Sequence, residues 1–403
     1  MQTMELNPML RRAENKLDLG EWMLVILTFI VSTNLINQFF LISTGLFIVA
    51  ALYYALDIKM NKSTAVLFMF AISNMIGCMV CGSVLLATLI RPFYFVMFFI
   101  LGKTISKDGN RKMSVYMILA MVFGAAAHGI ANFVMNYMEF GMNSGVRNMP
   151  DIWTREILAA TGQGALFAPF AGTVFYGLFN TKKIVSKLLF VAIFVCMCMY
   201  NMMTASRTVF VILFISVAMC LIANIRIKKG NVRIVLSVFM VIAAIYVAYM
   251  VNLFGFKDFI EETALKKRME SIDGSILETE RGNIILYYLK NLHKSVFGGR
   301  YIMEEYGTYA HNLFLDLYDT AGVPALLFLV WFYVVTFKKL IKLMKFNFVD
   351  TPFKILVFGV MLSIFLQSMT EPILDGMPWM FAMFCTISGI IDSICEYAKS
   401  NGI

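Results

Sequence analysis

The chain has three histidines, and His311 has the surroundings best suited to acid–base chemistry. It lies in Tyr-Ala-His-Asn-Leu-Phe-Leu-Asp-Leu, beside Asn312, where a polar stretch gives way to a helical pattern. Imidazole has an unperturbed pKa of about 6.5, so it accepts a hydroxyl proton at neutral pH. We therefore predict that His311 is a general base. We interpret His128 as a neutral histidine bonded to a neighbouring helix, and His293 as solvated.

Arginine is the second residue type with chemical potential. A guanidinium stays charged and holds phosphate through two parallel hydrogen bonds, so several converging arginines bind pyrophosphate without a metal. Arg207 and Arg281 are the first candidates. They are followed, in this order, by Arg91, Arg300, Arg147 and Arg155.

Carboxylates and tyrosines accompany these arginines. Glu371 and Asp375 flank the turn Thr-Glu-Pro-Ile-Leu-Asp-Gly and are predicted to bond sugar hydroxyls or to pair with an arginine. Tyr301, Tyr306 and Tyr309 suit the stacking of sugar faces and equally suit anchoring at a membrane interface. No Asp-x-Asp, Walker loop, glycine-rich nucleotide turn or His-Glu-x-x-His motif is present. We therefore expect no metal ion and no cofactor.

The composition decides which elements position these residues. The 403 residues are 60% apolar and 15% charged, with a mean hydropathy of +0.76. Soluble chains are about 45–50% apolar and about 25% charged. A soluble enzyme, a disordered protein and a secreted disulfide scaffold are therefore excluded. The fold class is an all-α membrane protein, because only helices satisfy their own backbone groups in lipid and no alternating β-barrel pattern appears.

Apolar runs of about 20 residues predict about twelve transmembrane helices. They divide the chain into residues 1–251 with spans one to nine, an outer loop over 252–320, and residues 321–403 with spans ten to twelve. The predicted spans are 21–36, 38–56, 64–82, 84–102, 114–135, 154–179, 187–203, 207–224, 232–251, 321–338, 353–371 and 377–396.

Lysine and arginine are concentrated in every second loop, which predicts that both termini are cytoplasmic. The same alternation accounts for the net charge of +9 without any nucleic acid. The long loop is then extracytoplasmic. Within it, Asp258-x-x-Glu261 predicts a capping box, residues 280–294 predict an amphipathic helix, and a second helix is expected from His311 to Gly322.

Three stretches together resemble a known family. They are Thr204-Ala-Ser-Arg207-Thr; Glu280-Arg281 followed by a helix and Phe297-Gly298-Gly299; and Ala310-His311-Asn312-Leu-Phe-Leu with the later Ala321-Gly322-Val-Pro-Ala-Leu-Leu. The arrangement resembles the superfamily of O-antigen polymerases and O-antigen ligases. The likeness covers about residues 200–340, and the family usually has Gly-x-Gly where this chain has Gly298-Gly299-Arg300.

The resemblance implies a metal-independent, inverting membrane glycosyltransferase in the bacterial inner membrane, with its site on the extracytoplasmic face. Its donor is a glycan on undecaprenyl pyrophosphate, and a flippase and a chain-length regulator are possible partners. Carried over by residue, His311 is the base, Arg207 and Arg281 hold the pyrophosphate, and Asn312 orients His311 or the sugar. The substrate-binding set is Arg91, Arg300, Asn312, Tyr301, Tyr309 and Glu371.

Three functions are compatible with these expectations. A polymerase transfers the glycan to another lipid-linked repeat unit and makes O-antigen or capsule. A ligase transfers it to lipid A core. A transporter of lipid-linked sugars is the third, although no internal repeat or carboxylate at the membrane centre is evident. We favour the polymerase, since the short outer turns offer nothing for a bulky lipid A core.

Overall fold

A computed structural model describes residues 17–54, 56, 60–80, 86–142, 145–227, 232–270 and 280–403. About 81% of the structure is helical, as an all-α membrane protein requires. The other regular element is a two-residue antiparallel hairpin of β1 (Met149–Pro150) and β2 (Ile157–Leu158).

The helices follow one another along the chain with short connections. In order they are α1 Leu19–Ser32, α2 Phe39–Tyr53, α3 Lys62–Val80, α4 Leu86–Ile105, α5 Arg111–Phe140, α6 Ala160–Ala165, α7 Ala168–Phe179, α8 Ile184–Met203, α9 Thr208–Ile227, α10 Val232–Met250, α11 Phe256–Glu262, α12 Ala264–Glu270, α13 Glu280–Lys290, α14 Tyr301–Tyr306, α15 Leu313–Lys345, α16 Thr351–Ser368, α17 Ile373–Gly376 and α18 Pro378–Ser400.

Seven helices in the described part of the chain are long and apolar enough to cross a membrane, namely α3, α5, α8, α9, α15, α16 and α18. An eighth candidate is a bent pair, in which Ala243–Met250 and Leu253–Glu262 meet at 99°. The protein is therefore a polytopic helical membrane protein. The number twelve stays a prediction.

The predicted spans that fall short do so for visible reasons. Helices α1 and α2 have 14 and 15 residues, fewer than the about 20 that a bilayer needs. The span predicted over 154–179 is wrong at its start, because the chain there forms the β2 strand and then two short helices, α6 and α7. A β-carbon on Gly164 would lie 2.8 Å from Asn201 Oδ1, so this break packs tightly against α8.

Small residues lie where the long helices cross. A β-carbon on Gly102 of α4 would lie 2.0 Å from the Thr386 carbonyl oxygen of α18, and one on Gly389 of α18 would lie 2.0 Å from the Phe99 carbonyl oxygen of α4. Gly172 of α7 and Gly359 of α16 make the same kind of reciprocal backbone contact. In lipid, helices associate chiefly through such close packing. These crossings hold the bundle that carries the site.

One end of the bundle contains a buried ion network. Asp392 of α18 is buried and pairs with Lys339 of α15, and its other oxygen lies 3.7 Å from Lys103 Nζ of α4. Lys103, 2% exposed, also lies 3.2 Å from Glu396. Asn61, just before α3, donates to Asp392 and Glu396. The network ties α3, α4, α15 and α18 together at what we call the Asp392 end.

The predicted outer loop does contain short helices, and one of its expected signals is wrong. Asp258 does not begin a helix, because α11 starts at Phe256 with Gly255 as its N-cap. Asp258 lies in the first turn instead, where its carboxylate accepts a hydrogen bond of 2.7 Å from Asn252 Nδ2. The amphipathic helix predicted over 280–294 is present as α13, followed by a short 3-10 turn at Leu292–Ser295.

The helix after this loop is broken at the predicted glycine. Gly322 has φ 75° and ψ −173° inside α15, so it divides an outer part from the membrane part. A β-carbon on Gly322 would lie 2.6 Å from the Val296 carbonyl oxygen, and one on Gly298 would lie 2.5 Å from the Thr320 carbonyl oxygen. Glycine is therefore required on both sides of this contact, in backbone conformations that other residues avoid.

The ion network at the Asp392 end predicts a strong effect on stability. Asp392→Ala leaves the buried charge of Lys103 poorly compensated, so it should lower the free energy of unfolding by about 3–5 kcal/mol. Denaturation in mixed micelles measures this loss. Replacing Lys103 and Lys339 by Met as well should recover much of it, and Lys399→Ala, at an exposed position of the same helix, is the matched control. An Asp392→Ala protein as stable as the wild type would contradict the role of the network.

Candidate functional site

We expected His311 on the first turn of a helix, but it lies two residues before α15 begins. Its backbone is left-handed, with φ 55°, a conformation that non-glycine residues adopt at a cost. The buried Asp316 carboxylate holds it there by accepting from the N–H of Ala310 at 2.7 Å and from the N–H of Asn312 at 2.9 Å. Asp316 therefore fixes the backbone on both sides of the imidazole, a role that the sequence did not indicate.

Asn312 is the N-cap of α15. Its Oδ1 accepts from the N–H groups of Phe314 and Leu315, and its Nδ2 donates to the Met369 carbonyl oxygen at 3.2 Å. The expectation that its side chain orients His311 or a sugar stays a prediction. Asn312 also joins the start of α15 to the end of α16.

Glu371 connects the imidazole to an arginine. Its Oε1 accepts a hydrogen bond of 2.8 Å from Arg281 Nη2, and its Oε2 lies 3.6 Å from His311 Nδ1. The Glu371 side chain is 6% exposed. With Nδ1 directed at this carboxylate, the other ring nitrogen of His311, Nε2, is available to take a proton.

The ionisation of Glu371 reflects these neighbours. Burial raises the pKa of Glu371. Hydrogen bonds from His311 and Thr161, together with the charge of Arg281, lower it by a larger amount. The net pKa lies below the usual value for a glutamate. Glu371 is therefore an anion at neutral pH, and it compensates part of the positive charge around it.

Four arginines, one of which is the Arg281 that pairs with Glu371, influence one another through their charges. Burial and the charges of Arg147, Arg207 and Arg281 lower the pKa of Arg268 to about 10. Arg268 also donates to the carbonyl oxygen of Ala205, two residues before Arg207, at 2.9 Å. The convergence of Arg207 and Arg281 on one ligand stays a prediction; both act on Arg268, as does Arg147, and Arg268 is the member that sequence analysis missed. We call these four the arginine cluster.

Arg281 is positioned by the buried face of α13. Ile284 and Tyr288, which are 4% and 1% exposed, pack with Ile302 and Ala310. The Tyr288 hydroxyl donates to the Thr308 carbonyl oxygen at 2.9 Å. The apolar face predicted for this helix is therefore buried within the outer segment, directly against the chain that leads to His311.

Arg91 and Arg300 form a separate group around Asp375. Arg300 Nη2 donates to Asp375 Oδ2 at 3.1 Å, and Arg91 Nη1 lies 3.5 Å from Oδ1. Arg91 also donates to the Leu374 carbonyl oxygen at 3.2 Å, and its guanidinium lies 5.4 Å from the centre of the Phe40 ring. These two arginines share the carboxylate of Asp375, whereas Arg281 of the arginine cluster pairs with Glu371.

The two predicted tyrosines have different surroundings. Burial and the carboxylate of Asp375 raise the pKa of Tyr309, so its side chain lies beside the pair formed by Arg91 and Arg300. Tyr301 begins α14 and is 52% exposed. It is next to Arg300 in the chain but faces solvent or lipid more than the site.

His128 and Arg155 lie apart from this centre. His128 Nε2 is 2.7 Å from Asp151 Oδ2, and Asn132 donates to the same carboxylate at 3.1 Å. We expected the partner of His128 on a neighbouring helix, but the partner is Asp151, in the turn of the hairpin. Arg155 is 65% exposed and lies 3.9 Å from Glu139. The lowest-ranked arginine of the sequence analysis therefore has a surface position.

No protein-family model matches this chain, and no curated protein matches its sequence significantly. The chemistry of the site thus rests on its own geometry. A base with one unoccupied ring nitrogen lies beside a cationic surface, at the start of α9 and α15 and the end of α16. Such a site is equipped to bind a polyanion and to remove a proton close to it.

The lowered pKa of Glu371 predicts a pH-dependent stability. A carboxylate with a depressed pKa stabilises the fold fully above its unfolded pKa of about 4.3, and this stabilisation is lost as the pH falls through the folded value. Glu371→Gln should therefore unfold at a lower temperature than the wild type at about pH 7, and the difference should stay nearly constant down to about pH 4.3 and shrink as the pH falls below that value. Scanning fluorimetry in detergent measures both. Glu304→Gln, at an exposed position, is the control. A difference that shrinks already between about pH 7 and about pH 5, or one that persists at the lowest pH at which the protein stays folded, would contradict the assignment.

Proposed function

We propose that this protein is a membrane glycosyltransferase that polymerises an O-antigen-type or capsule-type polysaccharide. It transfers a glycan from undecaprenyl pyrophosphate to a sugar hydroxyl of another lipid-linked repeat unit, with inversion and without a metal. The resemblance of residues 200–340 to the O-antigen polymerase and ligase superfamily supports this proposal. The arginine cluster beside His311 is the observation that carries it.

The arginine cluster suits the leaving group. The charges of Arg147, Arg207 and Arg281 act on Arg268, and Arg281 pairs with the Glu371 carboxylate, so positive charge is concentrated at this cluster. A pyrophosphate supplies the negative charge and the acceptor oxygens that such a set prefers. As the bond to the glycan breaks, charge develops on the pyrophosphate oxygens, and fixed guanidiniums stabilise it.

His311 supplies the base. Its Nε2 takes the proton of the acceptor hydroxyl, the hydroxyl oxygen bonds to the anomeric carbon of the donor, and the bond from that carbon to the pyrophosphate oxygen breaks. Attack from the face opposite the leaving group inverts the anomeric centre. Glu371 stabilises the imidazolium that forms, through its Oε2 at 3.6 Å from Nδ1.

The location of the reaction is part of the proposal. We infer a bacterial inner-membrane protein with both termini in the cytoplasm and the site at the extracytoplasmic face. The alternating basic loops and a polytopic helical bundle with the arginines at one end support this arrangement. A flippase that delivers the lipid-linked unit and a regulator of chain length are the partners that such a reaction requires.

The first prediction of this proposal concerns His311. Purified protein in nanodiscs, supplied only with lipid-linked repeat units, should extend them into polymer, visible as a ladder on a gel. His311→Ala should reduce the rate by about 100-fold to 10,000-fold, because general-base catalysis contributes about 10²–10⁴. The variant should still insert into membranes.

His293→Ala is the matched control, since His293 is exposed and has no part in the proposed mechanism. Near-normal polymer from His311→Ala would refute the assignment of the base. Glycan transfer that requires added lipid A core would favour the ligase. Movement of lipid-linked sugar across the membrane by variants of His311 and of Arg281, without any glycan transfer, would favour a transporter.

The second prediction concerns the geometry of Arg281. Arg281→Lys keeps the charge but loses the fork that reaches Glu371 and a phosphate together. We expect the polymerisation rate to fall by about 10-fold to 100-fold, with a weaker affinity for the lipid-linked donor. Arg155→Lys, at an exposed position, should leave both unchanged. Wild-type kinetics for Arg281→Lys would mean that this arginine is structural.

A further inference from the structure

A small cavity lies beside the chain segments that carry His311 and Glu371, since Leu313 and Pro372 are among its lining residues. Its polar lining comes from four elements: Asn74 of α3, Arg91 of α4, Asp316 of α15 and Asp375 of α17. Phe95 and Leu317 are among its apolar walls. The cavity has a volume of about 30 Å³, which is room for about two water-sized groups. It therefore accommodates an edge of a ligand with two hydroxyls, and not a bulky anion.

The charges around this cavity differ from those of the arginine cluster. Asp375 accepts from Arg300 at 3.1 Å and lies 3.5 Å from Arg91, so one carboxylate is shared by two guanidiniums. Asp316 brings a second carboxyl group to the wall. Two acidic groups thus face two arginines. A phosphate gains little from such a balanced wall, whereas a neutral ligand with donors and acceptors finds both kinds of partner.

The cavity also has hydrogen-bonding capacity toward its interior. Arg91 Nε is buried and has no hydrogen-bond partner among the described residues. The second oxygen of each carboxyl group has lone pairs beyond the contacts given above. Carbohydrates bind to such sites, because their hydroxyls bond to paired charged groups while their C–H faces lie on apolar side chains.

Asp316 connects this cavity to the base. The same carboxyl group that lines the cavity accepts from the N–H groups on both sides of His311, at 2.7 and 2.9 Å. Glu371 approaches the imidazole itself, through the contact of its Oε2 with Nδ1. His311 is therefore linked to Arg281 of the arginine cluster through Glu371, and to the cavity through Asp316.

We infer that this cavity is the acceptor subsite, and that it binds the hydroxyl edge of an uncharged terminal sugar. This inference rests on the proposed function, and it assigns the two substrates to two different sites. The pyrophosphate of the donor belongs to the arginine cluster, and Arg91 and Arg300 serve the acceptor.

Asp375→Asn tests this assignment, because it removes the shared charge without changing the size of the side chain. The donor is the intact lipid-linked repeat unit. The acceptor is the same repeat unit released from its pyrophosphate by mild acid, which has no leaving group and so can only accept. We expect the KM for this acceptor to rise at least 10-fold, with the KM for the donor changing by less than 2-fold.

Two further variants complete the experiment. Leu374→Trp narrows the cavity without removing an ion pair, so it should raise the KM for the acceptor even if Asp375→Asn folds poorly. Asp350→Asn is the matched control, since Asp350 pairs with Arg111 at the Asp392 end of the bundle. It should change neither constant.

The outcomes separate the two proposals. An unchanged KM for the acceptor in both cavity variants, or a rise confined to the donor, would overturn the acceptor subsite while leaving the glycosyltransferase intact. If the wild-type protein transfers no glycan at all to either acceptor, the proposed function itself fails, and the subsite fails with it.

Discussion

The bridging of His311 and Arg281 by the buried Glu371 carboxylate is the contact on which the arrangement of the site depends. A buried carboxylate is costly unless cations or hydrogen-bond donors compensate it. Here the compensation comes from α13 and from the chain before α15, 90 and 60 residues away from Glu371. The requirement that this charge be paired therefore brings three distant segments to one point. Without it, the arginine cluster has no local anion and the imidazole has no fixed direction.

The arrangement also divides the arginines by their counter-charges. Sequence analysis grouped Arg91 and Arg300 with Arg207 and Arg281 as ligands of one substrate. The structure separates them, since Arg91 and Arg300 pair with Asp375 while Arg281 pairs with Glu371. The carboxylate with which each arginine pairs therefore distinguishes two groups that residue type alone does not. Both groups are connected to His311, because Asp316 lines the cavity beside Arg91 and fixes the backbone around His311, and Glu371 contacts its imidazole.

Much of this was predictable from the sequence, and the failures have physical causes. The roles of His311 and Arg281 were suggested by residue type and by the periodicity of the helix that became α13. Arg268 was missed because it follows two lysines and looks like part of a solvated face. The effect of three other arginines on Arg268 is an interaction between distant parts of the chain that no local pattern predicts. The role expected for Asn312 came from the family resemblance, whereas its capping contacts depend on the exact start of α15. Three of the predicted spans correspond to helices of 14 or 15 residues or to a broken pair, because an apolar run alone does not set the length of a helix.

The contacts within residues 280–323 have a consequence for biogenesis. Asp319, 2% exposed, accepts from the N–H groups of Ile302 and Met303, and the N–H of Val323 donates to the Val296 carbonyl oxygen. All of these partners are less than 30 residues apart, so this segment is able to fold as soon as the translocon has released it. Glu371 is synthesised later, after α15 and all of α16. In the nascent protein, the contacts within residues 280–323 can therefore form before Glu371 has been added. If synthesis stops before residue 371, Arg281 lacks the carboxylate with which it pairs.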